Sequence, residues 1–356
     1  MKERVYVCHT YYHVYITFLK ELSLPAEERG KATLILSSLS INFEKLGERV
    51  QKTGLFEEVL EFDEKRETEY PELMKYKVDR GNIFINMFQR IIFTKKLGKI
   101  VAKQVPLNFR DYKNIYVYCD SDPIGYYLNT HRIHYHAIED GYNCLKNYDA
   151  ARYDNQGHFK LKAFFSEKLN LIFIQNGYGK YCLDMEVNDI SVLKYQYHKY
   201  IECPRKNLTD RLTEKDKEIL ILAFIRNRRE LEMQLRDADG VKDKILILTD
   251  PLCSLEVRER IFRDIINEYK GEGTIFLKPH PRDYLDYDRL FPEYPKFDAT
   301  VPMELLNYYP GLHFKKVISV LTEIKSIQYA DECIRLGEDF MDQYEDPKIH
   351  HQNDQI

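Results

Sequence analysis

Short apolar runs alternate with longer polar stretches through the first half of the chain. The runs that favour strands are Arg4–His9, Ala32–Ser37, Ile115–Cys119 and His134–Ile138. Weaker runs at Leu171–Gln175 and Tyr200–Cys203 predict edge or linker structure. Between the runs, stretches such as Asn86–Val105 carry apolar residues at helical spacing. Strands that alternate with helices predict βαβ units and a mainly parallel sheet.

The same alternation restarts in the second half of the chain. Thr213–Arg236 has apolar residues at helical spacing, and Thr213 with Asp216 resembles a capping box. Clean apolar runs predict strands at Lys244–Thr249, Thr274–Leu277 and Lys316–Val320, and Leu255–Tyr269 has the pattern of a helix. This half therefore predicts a second, smaller αβ unit.

The two units predict an α/β protein of two Rossmann-like αβα domains that face a central cleft. We place the N-terminal domain at residues 1–190, a helical linker at 191–242, the C-terminal domain at 243–337 and a polar tail at 338–356. In open parallel sheets, ligands bind at the carboxyl ends of the strands. Candidate functional residues are therefore expected directly after strands.

Composition narrows the class of protein. The chain has 356 residues, 44% of them hydrophobic, and a formal net charge of -4, which does not indicate nucleic acid as a partner. Its seven cysteines are widely spaced and include no C-x-x-C pair, which favours a reducing cytoplasm. The N-terminus lacks the apolar core of a signal peptide, and no apolar run is long enough to span a membrane.

The first chemical motif is Glu139-Asp140-Gly141, directly after the run His134–Ile138. Two adjacent acids at the end of a buried strand are costly without partners, and glycine lets the backbone turn and approach a ligand closely. A partly shielded carboxylate can serve as general base towards a hydroxyl. On spacing alone, an acidic loop in which Asp140 caps a helix is the commoner explanation.

The second motif, Lys278-Pro279-His280-Pro281-Arg282-Asp283, follows the run Thr274–Leu277. The prolines restrict the backbone around His280, and Lys278 and Arg282 would attract phosphate. A protonated histidine beside a phosphate can give its proton to the leaving oxygen. The alternative is a rigid turn with a surface histidine, but this combination at a strand end favours function.

Three weaker patterns occur in the second half. Ser319-Val320-Leu321-Thr322-Glu323 could hold an anion at a strand-to-helix turn, or Thr322 could simply cap a helix. Thr249-Asp250-Pro251-Leu252 ends the first strand of the second unit. Pro302-Met303-Glu304-Leu305 has the form of a helix start, which explains an early glutamate through the helix dipole.

The histidines do not form a metal site by spacing. His131, His134 and His136 lack a further ligand to complete a tetrahedron, and we see no acid or cysteine cluster that joins His9 and His13. Basic residues alternate with apolar ones between Arg90 and Lys103, the pattern of a membrane-surface helix or, more commonly, of a solvated helix face.

Taken together, the acid-acid-glycine motif, the His-Pro motif and the later Ser/Thr turn resemble bacterial sialyltransferases. The best match is glycosyltransferase family 52, which includes lipooligosaccharide sialyltransferases, and bacterial polysialyltransferases share the motifs. His9-Thr10-Tyr11-Tyr12-His13, Thr249–Leu252 and Pro302–Glu304 are also similar to that family. The resemblance implies a GT-B fold and an inverting transfer of sialic acid from CMP-sialic acid to a galactoside-type glycan, without a metal or other cofactor.

The resemblance also implies roles for individual residues. Glu139 would be the general base, Asp140 its support and His280 the acid. Thr322 and Ser319 would bind the donor phosphate or carboxylate, and Glu304 the cytidine ribose. The remaining residues placed on the donor side are Gly141, Thr249, Lys278, Pro281 and Arg282.

Three departures from the family pattern are visible. The first acid is glutamate instead of the usual aspartate, the tandem hydroxyls are reduced to Leu321-Thr322, and Asp250 stands where an amide is expected. The residues also leave rival functions open. These are a CDP-glycerol-type phosphotransferase, a transferase of another CMP-activated keto sugar acid, and a non-catalytic nucleotide-sugar or glycan binding protein. We expect a cytoplasmic protein, either free or in peripheral contact with the inner face of the membrane. The sequence does not predict the oligomeric state.

Overall fold

The computed structural model describes residues 1–118, 120, 123–141, 145, 157–193, 196–229, 231–233, 243–309 and 311–347. The chain divides into two compact units, Met1–Asp216 and Lys217–Ile356. Each unit is built on its own parallel sheet. Cys119, Cys144 and the stretches 234–242 and 348–356 of the predicted linker and tail lie outside the described residues.

The first unit contains a seven-stranded sheet in the order β3-β2-β1-β4-β5-β6-β7, with every described strand pair parallel. Its strands are β1 (Lys2–Cys8), β2 (Ala32–Ser37), β3 (Glu58–Phe62), β4 (Tyr112–Tyr118), β5 (Tyr135–Ile138), β6 (Cys182–Val187) and β7 (Tyr200–Glu202). Its described α-helices are α1 (Tyr11–Leu22), α2 (Leu46–Lys52), α3 (Pro71–Met74), α4 (Ile83–Val101), α5 (Pro123–Thr130), α6 (Phe159–Glu167) and α7 (Arg205–Thr209). The structure therefore places β7, inside the predicted linker, at the edge of this sheet.

The second unit contains a four-stranded parallel sheet in the order β11-β10-β8-β9. Its strands are β8 (Lys244–Leu248), β9 (Thr274–Lys278), β10 (Phe314–Ser319) and β11 (Ala330–Arg335). The helix α8 (Glu214–Phe224) precedes the sheet, and α9 (Leu255–Tyr269), α10 (Tyr287–Leu290) and α11 (Glu338–Met341) follow along the chain. Met341 of α11 is fully buried in the core of this unit, so the start of the predicted tail is packed.

Local sequence signals explain several of these boundaries. Thr10 caps α1 by accepting the backbone N–H of His13, and Ser254 caps α9 by accepting that of Val257. The predicted capping box is confirmed, because Thr213 and Asp216 accept each other's backbone N–H groups at 3.0 and 3.2 Å. These caps determine where three helices begin, at Tyr11, Glu214 and Leu255.

Apolar side chains of both sheets form the cores. In the first unit, Val5, Val7 and Val117 are fully buried among helices α4 and α5. In the second, Ile245, Ile247 and the inner face of α9 form the corresponding core. Among the described residues, no helix is both long enough and apolar enough to cross a bilayer.

Candidate active site

The acid pair of the first motif lies at the carboxyl end of β5, as expected. The Glu139 backbone N–H donates to the Glu186 carbonyl at 3.0 Å, which extends the pairing of β5 with β6 by one residue. Gly141 has a φ of 152° and open space where a side chain would be. Glycine is favoured there because L-residues rarely adopt that backbone conformation.

Glu139 is the buried member of the acid pair, at 5% exposure. Its Oε2 accepts the backbone N–H of Asn188 at 2.9 Å, and its Oε1 lies 4.0 Å from Nη2 of Arg205, the first residue of α7. Burial raises the pKa of Glu139, while Arg205 and the Asn188 N–H partly oppose that rise. The carboxylate is thus more basic than usual, with a cation near enough to favour its ionised form.

Asp140 has different surroundings, since 39% of its side chain is exposed. Its Oδ1 is hydrogen-bonded to Nε2 of the buried His13 on α1. The spacing of His9 and His13 did not reveal that each binds a carboxylate from far along the chain, Glu64 for His9 and Asp140 for His13. The available signal was the spacing of four between two histidines at the start of a helix.

The second motif follows β9 and holds His280 on a tightly bonded loop. The backbone N–H of His280 donates to Oγ1 of Thr249 at 3.0 Å, and Nδ1 accepts the backbone N–H of Arg282 at 3.1 Å. Burial first, and then the cations Arg282 and Lys278, lower the pKa of His280 to about 4. The free protein therefore has a neutral imidazole, and because Nδ1 accepts, its proton is on Nε2.

The two cations of this motif have different positions. Arg282 is exposed beside Pro281, where an anion could reach it. Lys278 is buried, and its Nζ donates to the carbonyls of Pro279 and Ala299 at 3.2 and 3.0 Å. Burial lowers the pKa of Lys278 to about 8, with Asp298 and Glu304 opposing. Lys278 thus links the backbone of the His280 loop to Ala299. The sequence predicted a phosphate contact for Lys278 and did not indicate this role.

Asp283, at the end of the same motif, holds the loop to the rest of the unit. Its buried carboxylate receives Arg258, the backbone N–H of Leu285 at 3.0 Å and the Tyr287 hydroxyl at 2.7 Å. Its backbone N–H also donates to the carbonyl of His280 at 2.9 Å. This residue was quoted in the motif, but nothing in the sequence identified its partners.

The Ser/Thr turn after β10 is occupied by a carboxylate of the protein itself. Oδ2 of Asp250 accepts the backbone N–H groups of Leu321 and Thr322 at 3.0 and 3.2 Å, and Oδ1 binds the Thr322 hydroxyl. The Ser319 hydroxyl donates to the Thr322 carbonyl at 2.8 Å. The donors expected to hold a substrate anion thus bind Asp250, the residue that stands where an amide was expected.

Glu304 lies in a single 3-10 turn, Met303–Tyr308, so the predicted helix start is a shorter element. Burial raises the pKa of Glu304, and Lys278 opposes the rise.

The structure brings the predicted residues together in two sets. Glu139, Asp140 and Gly141 end β5 in the first unit. Thr249, Lys278, His280, Glu304, Ser319 and Thr322 surround the ends of β8, β9 and β10 in the second.

Comparison with solved structures supports the fold. A 2,6-sialyltransferase from a Photobacterium species, solved with CMP and lactose, is 9% identical with a TM-score of 0.54, covering 93% of this chain and 71% of that one. The α/β-galactoside α-2,3-sialyltransferase of Photobacterium phosphoreum is 12% identical with a TM-score of 0.49, covering 93% and 89%. At 9% identity the likeness to the 2,6-sialyltransferase shows the fold alone, and the predicted GT-B class is confirmed.

Comparison with protein sequences gives the family. An uncharacterized protein of Haemophilus influenzae is 32% identical over 123 residues, which span 33% of this chain and 37% of that protein. The model of glycosyltransferase family 52 matches residues 62–321, a range that includes the acid pair and the His-Pro motif and ends at Leu321, within the Ser/Thr turn. The predicted enzyme class is confirmed, and the chain belongs to glycosyltransferase family 52.

Proposed function

We propose that this protein transfers sialic acid from CMP-sialic acid to a hydroxyl group of a galactoside-type glycan, such as a lipooligosaccharide or surface polysaccharide. The observation that carries the proposal is the state of His280. Its backbone N–H and its Nδ1 are both hydrogen-bonded, and its ring proton is on Nε2, where it can be donated to a departing phosphate oxygen. Family membership and the acid pair after β5 support the same chemistry.

On the donor side, His280 acts at the bond between the sugar and CMP. As the glycosidic C–O bond breaks, its electron pair moves to a phosphate oxygen, which accepts a hydrogen bond from the Nε2–H of His280. The proton itself is transferred only from the imidazolium, which forms when Nδ1 takes up a proton in place of its bond from the Arg282 N–H, and the transfer leaves the neutral ring. A phosphate anion beside the ring favours the imidazolium and so offsets the burial that lowers the pKa of His280. The exposed Arg282 adds a second positive charge for the phosphate.

On the acceptor side, Glu139 is the general base. Its carboxylate takes the proton of the acceptor hydroxyl as that oxygen attacks the anomeric carbon on the face opposite to CMP, which inverts the configuration. Burial raises its pKa towards that of a useful base, and Arg205 favours the ionised form at the start of the reaction. Because these residues supply the acid, the base and the phosphate charge, we propose that no metal is needed.

A donor panel separates this proposal from its rivals. The protein is incubated with CMP-sialic acid, a CMP-activated keto sugar acid of another skeleton, or CDP-glycerol, each with the same set of galactosides, and products are identified by mass. The proposal expects product from CMP-sialic acid at a kcat/KM at least tenfold above the others. Preference for CDP-glycerol identifies a phosphotransferase, and binding of CMP without any product identifies a binding protein.

We also propose that the protein works at the cytoplasmic face of a membrane, where lipid-linked acceptors are made. Ile83, Phe84, Ile85 and Phe88 at the start of α4 are 40, 82, 48 and 64% exposed. No acidic residue occurs between Arg80 and Arg110, whereas five Lys and Arg residues lie between them. Exposed aromatic residues beside a stretch rich in Lys and Arg suit an anionic lipid surface.

Vesicle flotation tests this contact. The protein is expected to float with vesicles containing phosphatidylglycerol and not with phosphatidylcholine alone, and the pair Phe84→Ser and Phe88→Ser should abolish flotation. Leu222→Ser is the matched control, because Leu222 is also an exposed helical residue, at 62%. Flotation that is equal for the double variant and the wild type would refute the contact through α4.

A further inference from the structure

The two acids after β5 are adjacent in sequence but are held by different groups. Glu139 is buried and accepts the backbone N–H of Asn188, with Arg205 nearby. Asp140 has a partly exposed side chain, and its Oδ1 is bound to the buried imidazole of His13. An exposed carboxylate normally samples several rotamers, and the contact with His13 favours one of them.

The orientation of the His13 ring is fixed on several sides. Its Nδ1 accepts the backbone N–H of His9 at 3.1 Å, so the neutral ring has its proton on Nε2 and donates it to Asp140. The ring stacks on Tyr118 with centroids 4.5 Å apart and planes 11° apart. Its backbone N–H is bound by the capping residue Thr10. Position, plane and tautomer of the imidazole are therefore all determined before any substrate binds.

Glu64 holds His9, the residue whose backbone N–H determines the tautomer of His13. Nε2 of His9 lies 2.9 Å from Oε2 of Glu64, which is 3% exposed. The same Glu64 accepts the Ser37 hydroxyl and the backbone N–H of Ile124, each at 2.7 Å. These bonds join the ends of β1 and β2 and the start of α5. The His9 backbone is thereby held where its N–H meets His13.

We propose that His13 is a positioning residue for the transfer reaction, which holds Asp140 in one rotamer as a hydrogen-bond acceptor next to the base Glu139. A carboxylate that already accepts the proton of His13 is stabilised in its ionised form, so Asp140 orients the acceptor hydroxyl instead of removing its proton. The division of roles between the two acids then follows from their surroundings. This inference rests on the proposed function, because it assigns a step of the same reaction.

Two substitutions of His13 each keep one half of the imidazole's hydrogen bonding. His13→Gln places an amide N–H near the position of Nε2 and can still donate to Asp140. His13→Asn places its oxygen near Nδ1, keeps the acceptor for the His9 N–H and cannot reach Asp140. We expect His13→Asn to lower kcat by about 10- to 100-fold without changing CMP affinity, and His13→Gln to restore most of the loss. A merely structural role would make the two variants equal, or Asn the milder.

A double-mutant cycle tests whether His13 acts through Asp140. If it does, His13→Asn combined with Asp140→Asn is no slower than Asp140→Asn alone, because one interaction is removed in both. The matched control is His136→Ala, which removes another histidine–aspartate pair, formed by Nδ1 of His136 with Asp184 at 2.8 Å, and should leave kcat unchanged. Full additivity in the cycle, or a His13→Asn enzyme with wild-type kcat, would overturn the proposal.

Nitrogen-15 NMR of the intact wild-type protein gives a readout that does not depend on activity or on a folded His13 variant. We expect His13 to be protonated at Nε2, with a proton resonance that shifts in Asp140→Asn. A ring protonated at Nδ1 would refute the inference. A wild type that transfers nothing from CMP-sialic acid refutes the proposed function instead, and the same variants are then compared with the donor that the panel identifies.

Discussion

Replacing Asp283 by alanine should destabilise the loop that carries His280. The Asp283 carboxylate is completely buried and accepts hydrogen bonds from Arg258, Leu285 and Tyr287. Its Oδ2 also lies 3.4 Å from Oγ1 of Thr249, the atom that receives the His280 backbone N–H. Removal of this one side chain therefore leaves several buried donors without their acceptor.

The expected cost is large because the partner charge stays buried. Breaking a buried ion pair by removing one member costs roughly 3–5 kcal/mol in the free energy of unfolding, which corresponds to a fall in Tm of roughly 6–20 °C. Asp283→Asn should be milder, at about 1–2 kcal/mol. The amide keeps neutral hydrogen bonds to Tyr287 and Thr249, and Arg258 keeps its bonds to the carbonyls of Leu252 and Cys253 at 2.5 and 2.8 Å.

Urea unfolding with Asp288→Ala as the matched control measures these differences. Asp288 is 91% exposed and pairs with Lys296 at 3.4 Å, so its loss should cost less than about 1 kcal/mol. Transfer by folded Asp283→Ala should also fall, because His280 loses its fixed direction. If Asp283→Ala is destabilised no more than Asp288→Ala, the loop is held by other contacts and the reasoning fails.

The remaining predictions concern the chemistry. Glu139→Gln should lower transfer by about 10²–10⁴-fold with CMP affinity by calorimetry unchanged, and Asp140→Asn should be milder; the reverse order would exchange their roles. His280→Ala should lower transfer by about 10²–10⁴-fold, and near-normal turnover of the folded variant would exclude an acid role. EDTA should leave the rate unchanged; loss of activity that added magnesium or manganese restores would contradict catalysis without metal. Asp250→Asn, which removes a negative charge from the turn at Thr322, should tighten CMP binding measured by calorimetry, and unchanged affinity would place the donor phosphate elsewhere.

The predicted strands that line the sites were mostly confirmed because they are buried apolar runs. Ala32–Ser37 and the helix Leu255–Tyr269 match the structure, and β8 and β9 differ from their predictions by one residue. The strands that were missed, β3, β6 and β11, alternate or are largely polar, and β3 and β11 lie at sheet edges. An edge strand buries less of its surface, so it carries a weaker apolar pattern.

For Leu171–Gln175 the apolar pattern left edge and linker structure open, and the structure shows the latter. Ile172, Phe173 and Ile174 are at most 2% exposed, yet Leu171–Gln175 forms neither a strand nor a helix. A short apolar run shows that a segment is buried but does not determine its backbone conformation. The run instead packs under α4 and α6 in a small separate cluster with Tyr178.

The candidate site was predictable in its location and not in its hydrogen bonds. Strand ends and motif residues placed Glu139 and His280 correctly at the ends of β5 and β9. The partners that hold them, Arg205 for Glu139 and Thr249 for the backbone of His280, come from other parts of the chain. Asp250 likewise binds the turn at Thr322, which lies 72 residues further along the chain. Such pairings depend on tertiary folding, so no local spacing reveals them.

The central claim, inverting transfer of sialic acid, is tested most directly by NMR of the complete reaction with CMP-sialic acid and a lactoside. The account predicts that each CMP released is matched by one sialylated lactoside whose anomeric configuration is opposite to that of the donor, with no free sialic acid beyond the rate without enzyme. Retained configuration, release of CMP with only free sialic acid, or no turnover of this donor would contradict it.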